Sequence, residues 1–428
     1  MKEKIASKFD QQVASASAWL HPLKTKAMAR FSALGFPSLK HEEWKYTNVE
    51  PLTHLPFEYS TTSLIDAIPN TLKEVSARLV FVNGNFSEKH SSIKDLPKGL
   101  TCGPLSKFLQ EKSSIVEAHL SKHVTFEDHA FVALNTAFVQ EGAFIHIAAH
   151  AIVEKPIEVI YISNLAQSFV AQPRNLIVAE AQSQASIVER YVGQDSVYLM
   201  NSVTEISAAD SAVIEHVKLQ EESEKAYHLF SLGIHQGRQS RVSTHSISLG
   251  ASLARNDLTS ILDAEGAECI MNGLYLTSGK QHVDHHTTLD HAKPHCSSQE
   301  LYKGILGGSS RGVFNGKVIV RPHAIKTNSA QSNKNLLVSD NAEIDTKPLL
   351  EIFNNDVKCS HGATTGRLDP KQIFYLRSRG IGEDYARSLL SYAFAGEVID
   401  KIQVAPLRER LQGLLFDRLM LDAQRSLQ

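Results

Sequence analysis

Cysteine is scarce in this chain of 428 residues: there are four, Cys102, Cys269, Cys296 and Cys359, and none stands in a Cys-x-x-Cys pair or a ferredoxin-like run. Such spacing argues against a zinc or iron-sulfur site built from one segment. Long apolar runs are missing too, and none approaches the roughly 18 residues that a membrane span requires. Residues 1–10 carry charge where an export signal would begin its apolar stretch,. Few cysteines and no export signal set the expectation of a reducing cytoplasm. No charge of either sign dominates, since 44 basic residues meet 46 acidic ones. Neither nucleic acid nor membrane is therefore expected as a partner.

Catalytic signatures are equally thin. The chain has no Gly-x-x-x-x-Gly-Lys-Ser/Thr, no Gly-x-Gly-x-x-Gly and no His-Glu-x-x-His, which removes the usual marks of nucleotide hydrolysis, dinucleotide binding and zinc proteolysis. Gly308, Ser310 and Gly312 spell Gly-x-Ser-x-Gly, but a nucleophile elbow needs a helix after it, and Val313 and Phe314 lead into a strand,. Those glycines, with Gly304 and Gly307, are better suited to tight corners. No pair of carboxylates is set up as acid and base. A non-catalytic protein is expected.

What is present is texture. Residues 1–125 read as a mostly helical α/β region. Val13, Ala16, Leu20, Leu23, Ala27 and Phe31 follow helical steps broken by Pro22, and Leu79–Val82 runs into an Asn83-Gly84 turn,. Trp44 reads as a packing residue more than a binding one. Residues 126–368 read as short apolar strands parted by small-residue corners, among them 182–186, 209–213, 249–253, 264–268 and 339–343. Strand, corner, strand over this length predicts a mainly β fold, a parallel β-helix, with a β-sandwich as runner-up. Residues 369–428 return to helix, with Tyr385, Leu389, Phe394, Val398 and Ile402 on one stripe and Leu407, Leu411, Leu415 and Leu419 on another,. Both intramolecular packing and partner docking stay open for these stripes.

Two segments carry metal-binding side chains. Residues 281–296 hold His282, His285, His286, His291, His295 and Cys296. Pro294 and the strand context speak against a helical ligand pair, and alternation places His282, Asp284 and His286 on one face, which predicts an exposed polar ladder. Residues 357–367 place Cys359 two positions before His361, so a strand would aim both at the same face,. Two ligands cannot close a four-coordinate site, and the rest of any shell must come from elsewhere in the fold or from another chain.

The run Asp356–Thr364, then Phe374–Ile381 and Ala393–Val398, resembles the shared core of the SufB/SufD family of iron-sulfur cluster assembly proteins. Residues 299–304, 314–317, 327–331 and Glu42–Thr47 fit the same pattern. Within the family the chain is similar to SufD-type sequences, because SufB-type sequences have Glu-His-Glu-Ala-Thr where this one has Cys359-Ser360-His361-Gly362-Ala363-Thr364. The resemblance implies a right-handed parallel β-helix flanked by N- and C-terminal helical regions. It also implies pairing with SufB and binding of the ATPase SufC through the C-terminal helices, where Tyr385, Leu389, Phe394 and Val398 are the candidate contacts. A transient cluster shared with SufB would use His361, with Cys359 as the weaker candidate. No tightly bound cofactor is implied, although reduced flavin is associated with the family's complex, and a homodimer is open to the isolated chain. The alternatives are a SufB-like scaffold, a β-helix carbohydrate-active enzyme and a purely structural solenoid.

Overall fold

The computed structural model describes residues 2–60 and 65–425. Its centre is a parallel β-solenoid of about 8 turns. Successive strands alternate between two ten-stranded sheets, so each coil spends one strand on each. Val213–Glu221, for example, pairs in parallel with Gln184–Gly193 on one side and Arg241–Ser248 on the other. Coil length varies: Arg241 pairs with Glu268 and Ser297 with Asn328, steps of 27 and 31 residues. That variation hides the repeat in the sequence.

Leu199–Ala208 is buried along its whole length, so its polar members Asn201, Thr204 and Glu205 are satisfied by hydrogen bonds within the protein,. The corners sit where small residues mark them. Gln182, Ser211, Ala251 and Gly266 take φ values of 59°, 57°, 68° and 74°, a left-handed bend that turns the chain within one or two residues. Inside the solenoid, two tyrosines fill the space that glycine leaves. A Cβ on Gly273 would stand 2.1 Å from the Tyr302 ring, and one on Gly304 would stand 2.1 Å from the Tyr275 ring.

The two ends of the solenoid differ. At the beginning, Leu100–Pro104 runs antiparallel to Ala143–Ile147, and the two-residue strand Asn85–Phe86 runs antiparallel to Ala77–Val82. These short antiparallel strands blunt both sheet edges. At the other end, Glu343–Ile352 and Lys358–Gly366 are the last strands of their sheets, and among the described residues neither has an outer neighbour.

Helices cover the outer faces. Lys2–Ser15, His21–Leu34 and Ala130–Ala137 lie on the second sheet through Phe9, Phe31 and Phe131, in a cluster that Trp44 and Phe138 join. On the first sheet, Glu383–Ile399 and Ala405–Arg425 set Val398, Ile402, Leu407, Leu411 and Leu415 against Val217, Leu219, Ile247, Leu274 and Ile305. Both C-terminal stripes are therefore used within the chain. Among the described residues no helix is long and apolar enough to cross a membrane.

The histidine segment corrects one expectation. His282–His291 is a strand, as alternation predicts, but its even-numbered face is not exposed, because the Glu42–Thr47 segment lies on it. Thr47 Oγ1 donates to Asp284 at 2.6 Å, and Arg255 donates to Asp284 at 2.9 Å and to the Glu43 carbonyl at 2.6 Å. The Arg255 guanidinium lies 3.8 Å over the Trp44 ring. Burial disfavours the charged form of His286, yet the carboxylates of Asp284 and Glu43, 3.1 and 3.2 Å away, outweigh it and raise its pKa to about 9. The odd-numbered His285 and His291 point inward and are fully buried.

Leu411, fully buried under the first sheet, tests this packing. Leu411→Ala should lower unfolding stability in urea by about 2–5 kcal/mol, and Gly273→Ala, which overpacks Tyr302, by about 1–3 kcal/mol. Phe374→Ala, at a residue 73% exposed, should change it by less than about 0.5 kcal/mol.

Candidate functional site

Cys359 and His361 lie on Lys358–Gly366, the last strand of the first sheet. Register decides where they point. Cys359 stacks over Ser329, Ser298 and Cys269, and His361 over Gln331, Glu300 and Met271, all of which face the interior of the solenoid. In earlier coils this face is buried by the next coil. Here the ladder stops, so His361 is exposed and Cys359 half-buried. An inward-facing position has become an outward one by termination alone.

Around them lies an apolar platform. Ile344, Leu350 and Val357 are partly buried, while Ile352 and Phe353 are 39% and 62% exposed. A Cβ on Gly362 or Gly366 would meet nothing within 4 Å, so the strand is bare on its other face as well. Two unpaired edges of nine and ten residues flank the platform. The Glu42–Thr47 segment also reaches this end, with Glu42 accepting from Lys347 Nζ at 2.8 Å.

The chemistry of the pair is limited by geometry. Two ligands fill only half of a tetrahedral shell, so the remainder must come from outside the pair. Burial pushes the Cys359 thiol pKa up, so it waits as the thiol until a metal or base takes its proton. Among the described residues, no group of three His, Cys, Asp or Glu is placed to hold a metal ion. The other three cysteines are buried, and burial pushes the Cys102 and Cys269 thiols up to about 12.

Beneath His361 is a polar pair that the sequence reading did not single out. Gln331 Nε2 donates to Glu300 at 2.7 Å, and both side chains are buried. Desolvation pushes the Glu300 pKa up to about 7. In the sequence, the inward alternation of Ser298, Glu300 and Tyr302 within this segment is the signal that marks it,.

The C-terminal candidates separate. Tyr385 is 45% exposed, Leu389 is half-buried, and Phe394 is half-buried with Lys303 Nζ 4.3 Å over its ring. Val398 is fully buried against the first sheet. It is therefore unavailable as a surface contact, because the helix spends that face on intramolecular packing. The exposed aromatics of this region are Phe374, Tyr375 and Tyr385, at 73%, 57% and 45%, with Phe416 at 38%.

Comparison with known proteins covers nearly the whole chain. Residues 161–394 match the model described as "SUF system FeS cluster assembly, SufBD core domain", and residues 6–159 match the SufBD protein N-terminal region. An iron-sulfur cluster assembly SufBD family protein of Synechocystis is 34% identical over 394 residues, covering 89% of this chain and 87% of the relative. The iron-sulfur cluster assembly protein SufD of Escherichia coli is 32% identical, covering 90% of each. SufD of Bacillus subtilis is 26% identical, covering 93% of each.

Glu300 gives this site a pH signature. Its carboxyl ionises near 4.5 ordinarily and near 7 when folded. Between those values the unfolded chain releases a proton that the folded chain keeps, so stability falls as pH rises and levels off above 7. Glu300→Gln should remove that fall, gaining about 1–3 kcal/mol relative to the parent between pH 4.5 and 8, read from urea denaturation at both values.

Proposed function

The chain belongs to the SufBD family of SUF iron-sulfur cluster assembly proteins, and on that premise we propose that it is a non-catalytic scaffold subunit. It pairs with SufB through the open end of the solenoid, and His361 holds one side of a nascent cluster whose remaining ligands come from SufB. The observation that carries this reading is the last strand, Lys358–Gly366, whose inward face is bare at His361 and whose edge has no neighbour. A long unpaired edge beside exposed Ile352 and Phe353 favours burial against another strand-bearing surface,. The cluster is cargo here. Few ligands, divided between two chains, suit a body that must release what it assembles. Neutral imidazole is the form that binds.

ATP hydrolysis falls to SufC, since this chain lacks a phosphate-binding loop. SufC docks on the outer side of the C-terminal helices, through Phe374, Tyr375 and Tyr385 rather than through the stripe that includes Val398. A second copy of this chain competes for the same open end when SufB is absent, because like edges can also pair.

Co-expression with SufB and SufC tests both contacts. In His361→Ala, cluster content of the purified complex should fall at least about tenfold while SufB still co-purifies; undiminished cluster would sink the ligand assignment. Cys359→Ala should have the smaller effect. Phe374→Ala combined with Tyr375→Ala should lower SufC retention about tenfold, in line with loss of aromatic anchors, and leave SufB bound. Normal SufC retention would move the docking surface elsewhere. Deleting everything from Tyr385 onward is a poor probe, because it strips Leu407, Leu411 and Leu415 from the first sheet.

A further inference from the structure

Far along the chain from His361, two histidines stand as metal ligands stand. His119 ends the short helix Ser114–His119, and a tight turn at Ser121, with φ 59°, brings His123 back beside it. His119 Nδ1 and His123 Nε2 are 3.3 Å apart. Two nitrogens bound to one tetrahedral ion at about 2.0–2.1 Å lie about 3.3–3.4 Å from each other.

The turn is held from beneath. The backbone N–H groups of Ser121 and His123 each donate to the Glu205 carboxylate at 2.8 Å. Glu205 is gripped in turn by Arg174 at 2.7 and 3.0 Å, and both side chains are fully buried. The loop also presses on Gly233, where a Cβ would stand 2.0 Å from the His123 carbonyl oxygen. Ligands fixed in this way bind without first being ordered.

A third imidazole is near. The His235 ring lies 5.4 Å from the His123 ring, and its Nε2 is 3.2 Å from Asp263 Oδ2. A carboxylate on one ring nitrogen is the usual means of orienting a ligating histidine and leaves the other nitrogen free.

No three such side chains among the described residues stand ready around one ion; we propose that His119 and His123, as a pair, bind one divalent transition-metal ion of the zinc or iron(II) class, with His235 turning in as the third protein ligand and water completing the shell. The site is independent of the cluster interface and does not rest on His361.

Titration of the tag-free full-length chain with Co2+, followed by visible absorption and displacement with Zn2+, tests it. One equivalent should bind to the parent and to His361→Ala alike. Affinity should fall about 100-fold or more in His123→Ala and in His119→Gln, and about tenfold in His235→Ala, with circular dichroism unchanged. Absence of Co2+ uptake by the parent would reduce the two rings to a hydrogen-bonded pair, and undiminished binding in His123→Ala or His119→Gln would also overturn the site. Should the variants misfold, anomalous scattering from Co2+-soaked crystals of the parent decides: a peak between the two rings supports the site, and its absence there refutes it.

Discussion

Backbone hydrogen bonding from coil to coil is the constraint on which the other features depend. Each strand finds its partners one coil before and one coil after, so the sheet direction and the direction of chain growth are the same. Side chains must then alternate between an interior shared by all coils and an exterior that something else has to cover. Helices do so on both outer faces, and the tyrosine and glycine pairs fill the interior. A ladder of this kind cannot satisfy its own last member. The chemistry-bearing strand is that last member.

Buried polar contacts tie distant parts of the chain to this frame. Arg174 with Glu205 anchors the loop at residues 121–123, Arg255 with Asp284 anchors the Glu42–Thr47 segment, and Glu189 meets His216 of the neighbouring strand at 3.0 Å. Ion pairs removed from water add little net stability, because desolvation offsets the attraction. Losing one partner is a different matter, since it strands a charge. Each of the first two pairs also receives a backbone group from the N-terminal region, so their work here is to fix where that region sits.

Much of the solenoid was legible because its cause is local. Alternating apolar strands and small-residue corners are written in contiguous residues, and the left-handed positions at Gln182, Ser211, Ala251 and Gly266 fall inside corners read from composition. The helical break near Pro22, which sits in the first turn of His21–Leu34, was visible for the same reason. What could not be read depends on contacts across hundreds of residues. The even face of His282–His291 looked like a solvated ladder because nothing nearby announces that Glu43 and Thr47 cover it. Val398 looked as available as Tyr385 because a helical stripe does not say which object buries it. Cys359 and His361 were recognisable as ligands by type and spacing, whereas their accessibility follows from where the ladder stops.

The helices on the first sheet have a mechanical meaning. Ala405–Arg425, 21 residues long, measures about 30 Å as a helix, and its cluster touches strands from Val188 through Leu336. It acts as a splint nailed across successive coils, so the body of the solenoid bends as one stiff beam. The final strand lies beyond the last nail. The seam where His361 stands is thus the part of the ladder that this bracing leaves out.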